Sequence, residues 1–206
     1  MSPRTRKVLP TIEPIVPIAG SPPLHDPQWI YEPKFDGFRG MLYIYAGECY
    51  VRSKWNKVLT RFADLALRVG SELHARDAIL DGEVVALDDE GRIDFRALLA
   101  GKGWLHYAAF DVLWLDGKDL RAQPLIKRRR RLEQLIPSNN PTLSRVLAVE
   151  EHGRELYDAA QRLDLEGIVA KRKGDPYSPQ TVWYKVRNPA YTQADGRADL
   201  FERRHR

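Results

Sequence analysis

Cysteine is almost absent: Cys49 stands alone in 206 residues. A single thiol excludes an internal disulfide and a cysteine-rich zinc site. A reducing cytosol is the simplest compartment for such a chain. Long apolar runs are missing too. No stretch reaches the roughly 18 residues needed to cross a bilayer. The basic N-terminus, Met1 to Lys7, lacks the apolar segment of a secretory signal. Common phosphate-binding loops are also missing. No G-x-x-x-x-G-K-S/T occurs, and no G-x-G-x-x-G follows a strand, so any nucleotide site here holds its phosphates without a P-loop. Neither H-E-x-x-H nor G-x-S-x-G is present. His25, His74, His106, His152 and His205 are scattered, without metal-ligand spacing.

What is present is ordinary globular material. Hydrophobic residues at 43% beside 30% charged residues can bury a real core. The length fits one large domain or two small ones. A net charge of +5 permits contact with a polyanion without requiring it. Five Trp and nine Tyr supply stacking surfaces, although most such rings are core.

Residues 1–27 are rich in proline and lack periodicity, which predicts an extended lead-in that wraps the domain. Met41–Tyr45 and Cys49–Ser53, joined by Ala46-Gly47-Glu48, read as a hairpin. Phe62, Leu65, Ala66, Val69 and Leu73 mark an amphipathic helix with Thr60 as its N-cap. Ala78–Leu87 and Tyr107–Leu115 read as strands, the second ended by Asp116-Gly117. A short helix is expected over Phe95–Ala100. Leu125, Arg128, Arg129, Leu132, Leu135 and Ile136 describe another helix. Its basic run, Lys127 to Arg131, wraps the helix and reads either as a solvated face or as a phosphate-backbone contact. Val146–Val149 is expected as a strand, 154–163 as a helix, and Gly167–Lys171 and Val182–Val186 as strands. This order is α+β, with antiparallel sheets flanked by helices, rather than a parallel βαβ array.

The densest chemistry lies in Tyr31 to Gly40, which sets Lys34 between Glu32 and Asp36 with Gly37 and Arg39 behind. It reads as a lysine nucleophile in a nucleotide pocket or as a turn with incidental charges. Side chains alternate along a strand, so Asp81 and Glu83 share a face. The pair suits a metal or a ribose hydroxyl; the plain alternative is a solvent-facing acidic pair. Trp183, Lys185 and Arg187 share a face of the last strand, which suits a triphosphate clamp or an edge blunted by charge. Glu166 stands at a strand mouth where a magnesium ligand would. Phe110 reads as a base-stacking ring or as core.

In this order the pieces resemble the nucleotidyltransferase (adenylation) domain of ATP-dependent DNA ligases, from about Trp29 to Arg187. Lys34-Phe-Asp-Gly-Phe-Arg39 looks like the family's first motif and Asp81-Gly-Glu83 like its third. Phe110-Asp111, then Pro124-Leu125 and the arginine run, is similar to the next segment. Glu166 to Lys171 looks like the fourth motif and Trp183 to Arg187 like the fifth. The resemblance implies an ATP-grasp-like fold over 28–190, with the 1–27 lead-in and a charged tail over 191–206. The family's C-terminal OB-fold, which needs on the order of 100 residues, is expected to be missing, since nineteen residues follow Arg187. It implies that Lys34 attacks the α-phosphate of ATP to give lysyl-AMP, and that AMP then passes to a 5′-phosphate at a nick. Glu32 and Phe110 would hold the adenine, Arg39 and Glu83 would contact the ribose or nearby charge, and Lys171, Lys185 and Arg187 would neutralise phosphates. Glu83 and Glu166 would place Mg2+ or Mn2+. Nicked DNA is the implied substrate, with a partner protein supplying DNA-binding functions, no membrane, and a cytoplasmic, nucleoid-associated location in a bacterium. The sequence departs from the family at Ser53-Lys-Trp-Asn56, where S-R-x-G is usual, and at Arg187, where a lysine is usual. Ser178-Pro-Gln180 also replaces the usual Gly-Arg after Tyr177. The motifs are shared with RNA ligases and capping-like enzymes, and a non-catalytic nucleic-acid-binding relic would keep the basic balance. The Pro124 segment favours DNA, and the intact Lys34, Glu83, Glu166 and Lys185 set favours an enzyme.

Overall fold

A computed structural model describes residues 9–136 and 140–194. The first eight residues of the lead-in and most of the tail expected from 191 lie outside the described residues. Eleven strands and four α-helices follow one another among the described residues. The chain opens with β1 (Ile18–Ala19), β2 (Trp29–Lys34), β3 (Phe38–Tyr45) and β4 (Glu48–Ser53). It continues through α1 (Ala63–Glu72), β5 (Asp77–Leu87), α2 (Phe95–Ala100), β6 (Trp104–Leu115), β7 (Lys118–Asp119) and α3 (Leu125–Leu135). It closes with β8 (Leu143–Arg145), β9 (Val149–Glu150), α4 (Gly153–Arg162), β10 (Gly167–Arg172) and β11 (Tyr184–Arg187). These build two sheets. One runs β1-β11-β10-β2-β9, the other β4-β3-β5-β6-β7 with β8 beside β6. Pairing is antiparallel except for β1 on β11 and β8 on β6.

Local chemistry explains most of the elements. Two residues join β3 to β4, with Ala46 at φ 53° and Gly47 at φ 84°. Two positive φ values make the turn whose twist matches a hairpin. Asp116 and Gly117 repeat it between β6 and β7. Asp94 caps α2 by accepting from the Ala97 N–H at 2.8 Å, and Gly101 closes it in the left-handed region. The helix expected from Thr60 forms, but Thr60 does not cap it. A 3-10 turn, Thr60–Phe62, precedes α1, and Phe62 stands at the cap position with no side-chain bond. Phe62 is instead buried with Leu65, Ala66 and Val69 against the six-stranded sheet, so core packing sets that helix start. Of the strand expected at Val146–Val149, only Val149 lies in a strand, at the start of β9; residues 146–148 connect β8 to β9, which pair with different sheets. The chain changes sheets there, and one continuous strand cannot serve both.

Each sheet has a covered back and a face toward the other. Helices α1, α2 and α3 bury one face of the six-stranded sheet around Leu42, Leu80, Val84 and Val112. Helix α4 covers the five-stranded sheet through Tyr31, Ala160, Ile168 and Ala170. The lead-in seals part of the space between the sheets. Leu9, Ile12 and Ile15 are buried with Tyr43, Tyr177 and Trp183. The Ile12 N–H donates to the Tyr43 hydroxyl at 3.2 Å and the Ile15 N–H to the Tyr177 hydroxyl at 3.1 Å. What is left open between the sheets is a cleft.

Candidate active site

The cleft has a volume of about 620 Å³. The five-stranded sheet contributes Glu32, Lys34, Val169, Lys171 and Lys185 to its wall, and the other sheet contributes Arg39, Glu83 and Phe110. Lys34 ends β2, and Gly37 lets the chain turn back into β3. A Cβ at Gly37 would lie 2.3 Å from the Val84 carbonyl oxygen and 2.8 Å from Glu83 Cγ. Only glycine allows this turn to press against β5 beside Glu83. The Lys34 Nζ donates to Glu166 Oε2 at 2.5 Å. Glu166 is held there because Gly167 adopts φ 140° and packs under β11, where a Cβ would come within 2.1 Å of the Val186 carbonyl oxygen.

At this outer end the charges stay partly open. Burial pushes the Glu83 carboxyl up to about 7, against the pull of Lys34 and Arg39 and with the help of Glu166 and Asp36. Burial, then Arg187 and Lys34, lowers the Lys185 ammonium below its usual value. Arg187 itself is exposed and does not line the cleft; it acts on Lys185 from the rim. Among the described residues no three acidic, His or Cys side chains converge. Glu166 on the Lys34 ammonium and Glu83, near enough to feel both of their charges, could supply two oxygen ligands. Two carboxylates are enough for magnesium, which keeps water and takes phosphate oxygens for the rest of its shell.

The inner end is different. Phe110 is the extra residue of a bulge: Ala109 faces Gly82 and Asp111 faces Asp81, leaving Phe110 without a partner on β5. A bulge re-aims a side chain, and this one turns Phe110 into the cleft. The Lys171 Nζ sits 4.3 Å from the Phe110 ring centre and 4.0 Å from that of Trp183. Lys171 is buried in the cleft wall, and its ammonium is 2.5 Å from Glu32 Oε2. Burial lowers its pKa, while Glu32 and Asp111 pull it back up. Glu32 Oε1 pairs with Arg129. Both carboxylate oxygens of the residue expected to hold the adenine thus already have cationic partners.

Arg39 is similarly engaged. It grips Asp81 through Nε and Nη2, both at 2.6 Å, and lies 4.6 Å over Phe110. Burial alone would favour its neutral form, but Asp81 more than offsets this and keeps it charged. Asp81 is fully buried and also accepts from the Tyr177 hydroxyl at 2.6 Å. The expected Asp81–Glu83 pair is therefore split: Asp81 orients Arg39, and only Glu83 is open to the cleft. The basic run divides. Lys127, Arg130 and Arg131 are exposed, as a solvated face would be. Arg128 and Arg129 are buried: Arg128 is bidentate on Asp111 at 2.9 Å, and Arg129 pairs with Glu32. The signal was in the spacing: with Leu125 and Leu132 they fall on the apolar stripe of the helix, where a solvated arginine does not belong.

Residues 22–187 match the family model described as the ATP dependent DNA ligase domain. The multifunctional non-homologous end joining protein LigD of Pseudomonas aeruginosa is 34% identical over 172 residues, which is 78% of this chain and 20% of that protein. The SPbeta prophage-derived DNA ligase-like protein LigB of Bacillus subtilis is 31% identical over 182 residues, 83% of this chain and 65% of that protein. A solved structure of mycobacterial DNA ligase D complexed with ATP and MES superposes with a TM-score of 0.69 at 27% identity, covering 85% of this chain and 60% of that one. The chain spans about a fifth of the LigD protein and about two thirds of the LigB-like one. A match over most of the described fold, on the same segments that build the cleft, places the chain in the ATP dependent DNA ligase domain family.

Proposed function

We propose that the chain is the adenylation unit of a DNA ligase, with Lys34 as its nucleophile. The observation that carries this reading is the position of Lys34, at the open end of a cleft between two sheets, with Glu166 on its ammonium and Glu83 and Lys185 nearby. In its neutral form the Lys34 amine attacks the α-phosphorus of ATP. A P–N bond forms, the bond to the bridging oxygen breaks, pyrophosphate leaves, and the nitrogen sheds a proton to solvent. A lysine at its ordinary pKa of about 10.4 is a poor nucleophile at neutral pH. Lys185, with Arg187 at the rim, meets the triphosphate, where charge neutralisation and positioning carry phosphoryl-type transfer. Arg39, fixed by Asp81, and Glu83 face the ribose, and Phe110 offers its ring to the base. Glu83 and Glu166 would hold a magnesium or manganese ion, which when bound neutralises phosphate charge. The AMP then passes to the 5′-phosphate at a nick in DNA, and the 3′-hydroxyl displaces it to join the strand.

Incubation with ATP labelled at the α-phosphate, plus magnesium, tests the first step. A covalently labelled protein is expected. No label with any divalent metal overturns the reading. A nicked DNA duplex set against a nicked RNA duplex then separates DNA joining from action on RNA ends. No helix among the described residues is long and apolar enough to cross a membrane.

A further inference from the structure

Two consecutive residues of a helix point about 100° apart. Arg128 and Arg129 are both buried: α3 packs on β6, and Arg129 reaches from it to β2 of the other sheet. A buried guanidinium is tolerated only when its donors find acceptors. Arg128 finds them in Asp111, in the Gln123 carbonyl at 2.5 Å and in the Asp175 carbonyl at 3.1 Å. Among these acceptors none lines the cleft. Arg128 ties a helix and a loop to one strand and needs no other role.

Arg129 differs in what it holds. Its Nη1 donates to the Glu32 carboxylate, on β2 of the five-stranded sheet, and to the Phe110 carbonyl at 3.3 Å, on β6 of the other sheet. Its Nη2 donates to the Val146 carbonyl at 2.8 Å. Glu32, Phe110 and Val146 all line the cleft. One planar fork therefore spans both walls at the inner end and fixes a carboxylate opposite a bulged aromatic ring. A carboxylate only accepts hydrogen bonds. Held at a set distance from the ring, it favours a base that offers an amino group there over one that offers a carbonyl.

We propose that Arg129 is a positioning residue for the nucleotide base: by clamping Glu32 against the Phe110 segment it sets the cleft's preference for adenine over guanine. This rests on the adenylation reading above. A lysine cannot reproduce the fork, since it is a point charge on a flexible stem.

The test compares wild type, Arg129→Lys and Arg129→Gln in covalent labelling by α-labelled ATP and GTP. For each lysine-variant reaction we expect the KM for ATP to rise about tenfold, with kcat within about threefold, and the ATP-to-GTP ratio of kcat/KM to fall by about tenfold or more. Combining Arg129→Lys with Glu32→Gln should add little to either single change, since both act on one carboxylate. Arg130→Ala, exposed on the outer side of α3, should leave KM and the ratio unchanged. The proposal is overturned if the lysine variant loses melting temperature but keeps the KM and base ratio of wild type, or if the two changes act additively. It is equally overturned if neither Arg129 variant folds, because Arg129 would then be part of the core and nothing more. A wild type that takes no label from ATP overturns the adenylation reading instead, which keeps the two failures apart.

Discussion

At the inner end of the cleft, Glu32 and Lys171 are almost fully buried and pair with each other, with Arg129 on the far carboxylate oxygen. At the outer end, Lys34, Glu83 and Lys185 remain partly open, and burial without full pairing moves Glu83 up and Lys185 down. The same residue types behave differently because of what surrounds them. Inside, each charge arrives with its partner supplied by the fold. Outside, the arrangement leaves positive groups facing a cleft, the proposed nucleophile Lys34 among them. The inner end pairs its charges before any ligand arrives, and the outer end leaves some of them open. Unpaired charge of this kind costs stability and is kept where chemistry needs it.

Substitutions at the two ends should therefore fail in different ways. The largest effect belongs to Lys34→Ala, which should lower covalent labelling by about 10⁴-fold or more, as loss of a nucleophile does. Its far-UV circular dichroism and melting curve should stay as in wild type. Persistent labelling would move the nucleophile elsewhere and dissolve the contrast. Asp111→Ala belongs to the inner region and should act on stability. It strands Arg128 as a buried, unpaired cation, and about 3–5 kcal/mol should be lost in urea unfolding. A loss under 1 kcal/mol would mean that water reaches Arg128 and that the inner end is not closed. Lys185→Ala should lower the labelling rate by about 10²-fold with no loss of melting temperature. If it instead destabilises the fold, the outer end is cement like the inner one.

The smallest effect is in pH. The folded state holds the Lys185 ammonium below its ordinary pKa, so the charged form is disfavoured by folding. That penalty is absent above the unfolded value of about 10.4, grows as pH falls from the unfolded toward the folded value, and is full below the folded value. Lys185→Met removes it. The variant should melt slightly higher than wild type at neutral pH, and the difference should fade as pH rises toward 10. A difference that grows with pH would reverse the assigned direction.

Much of the fold was legible because its causes are local. The hairpin turns at Ala46-Gly47 and Asp116-Gly117, and helix α2 between Asp94 and Gly101, follow from a few adjacent residues. Thr60 misled because a local cap signal was overridden by the burial of Phe62. The bulge at Phe110 was not legible, since it exists only as a register shift against β5. The site was legible as a set of residues but not as a division of labour. Asp81 looked like half of an open carboxylate pair, and becomes the anchor of Arg39 once Tyr177 packs beside it from 96 positions away.

The sequence by itself determined the elements, the lysine between two carboxylates and the order of motifs, because strand alternation, turn chemistry and helical spacing act within a few residues. Only the tertiary structure decided which charges are spent and which remain open. Arg128 and Arg129 look alike in the chain. Their roles part because Asp111 comes from 17 residues away and Glu32 from 97, one on each sheet. A buried charge is defined by the partner that meets it, and for Glu32 that meeting takes place only when the two sheets close on the cleft.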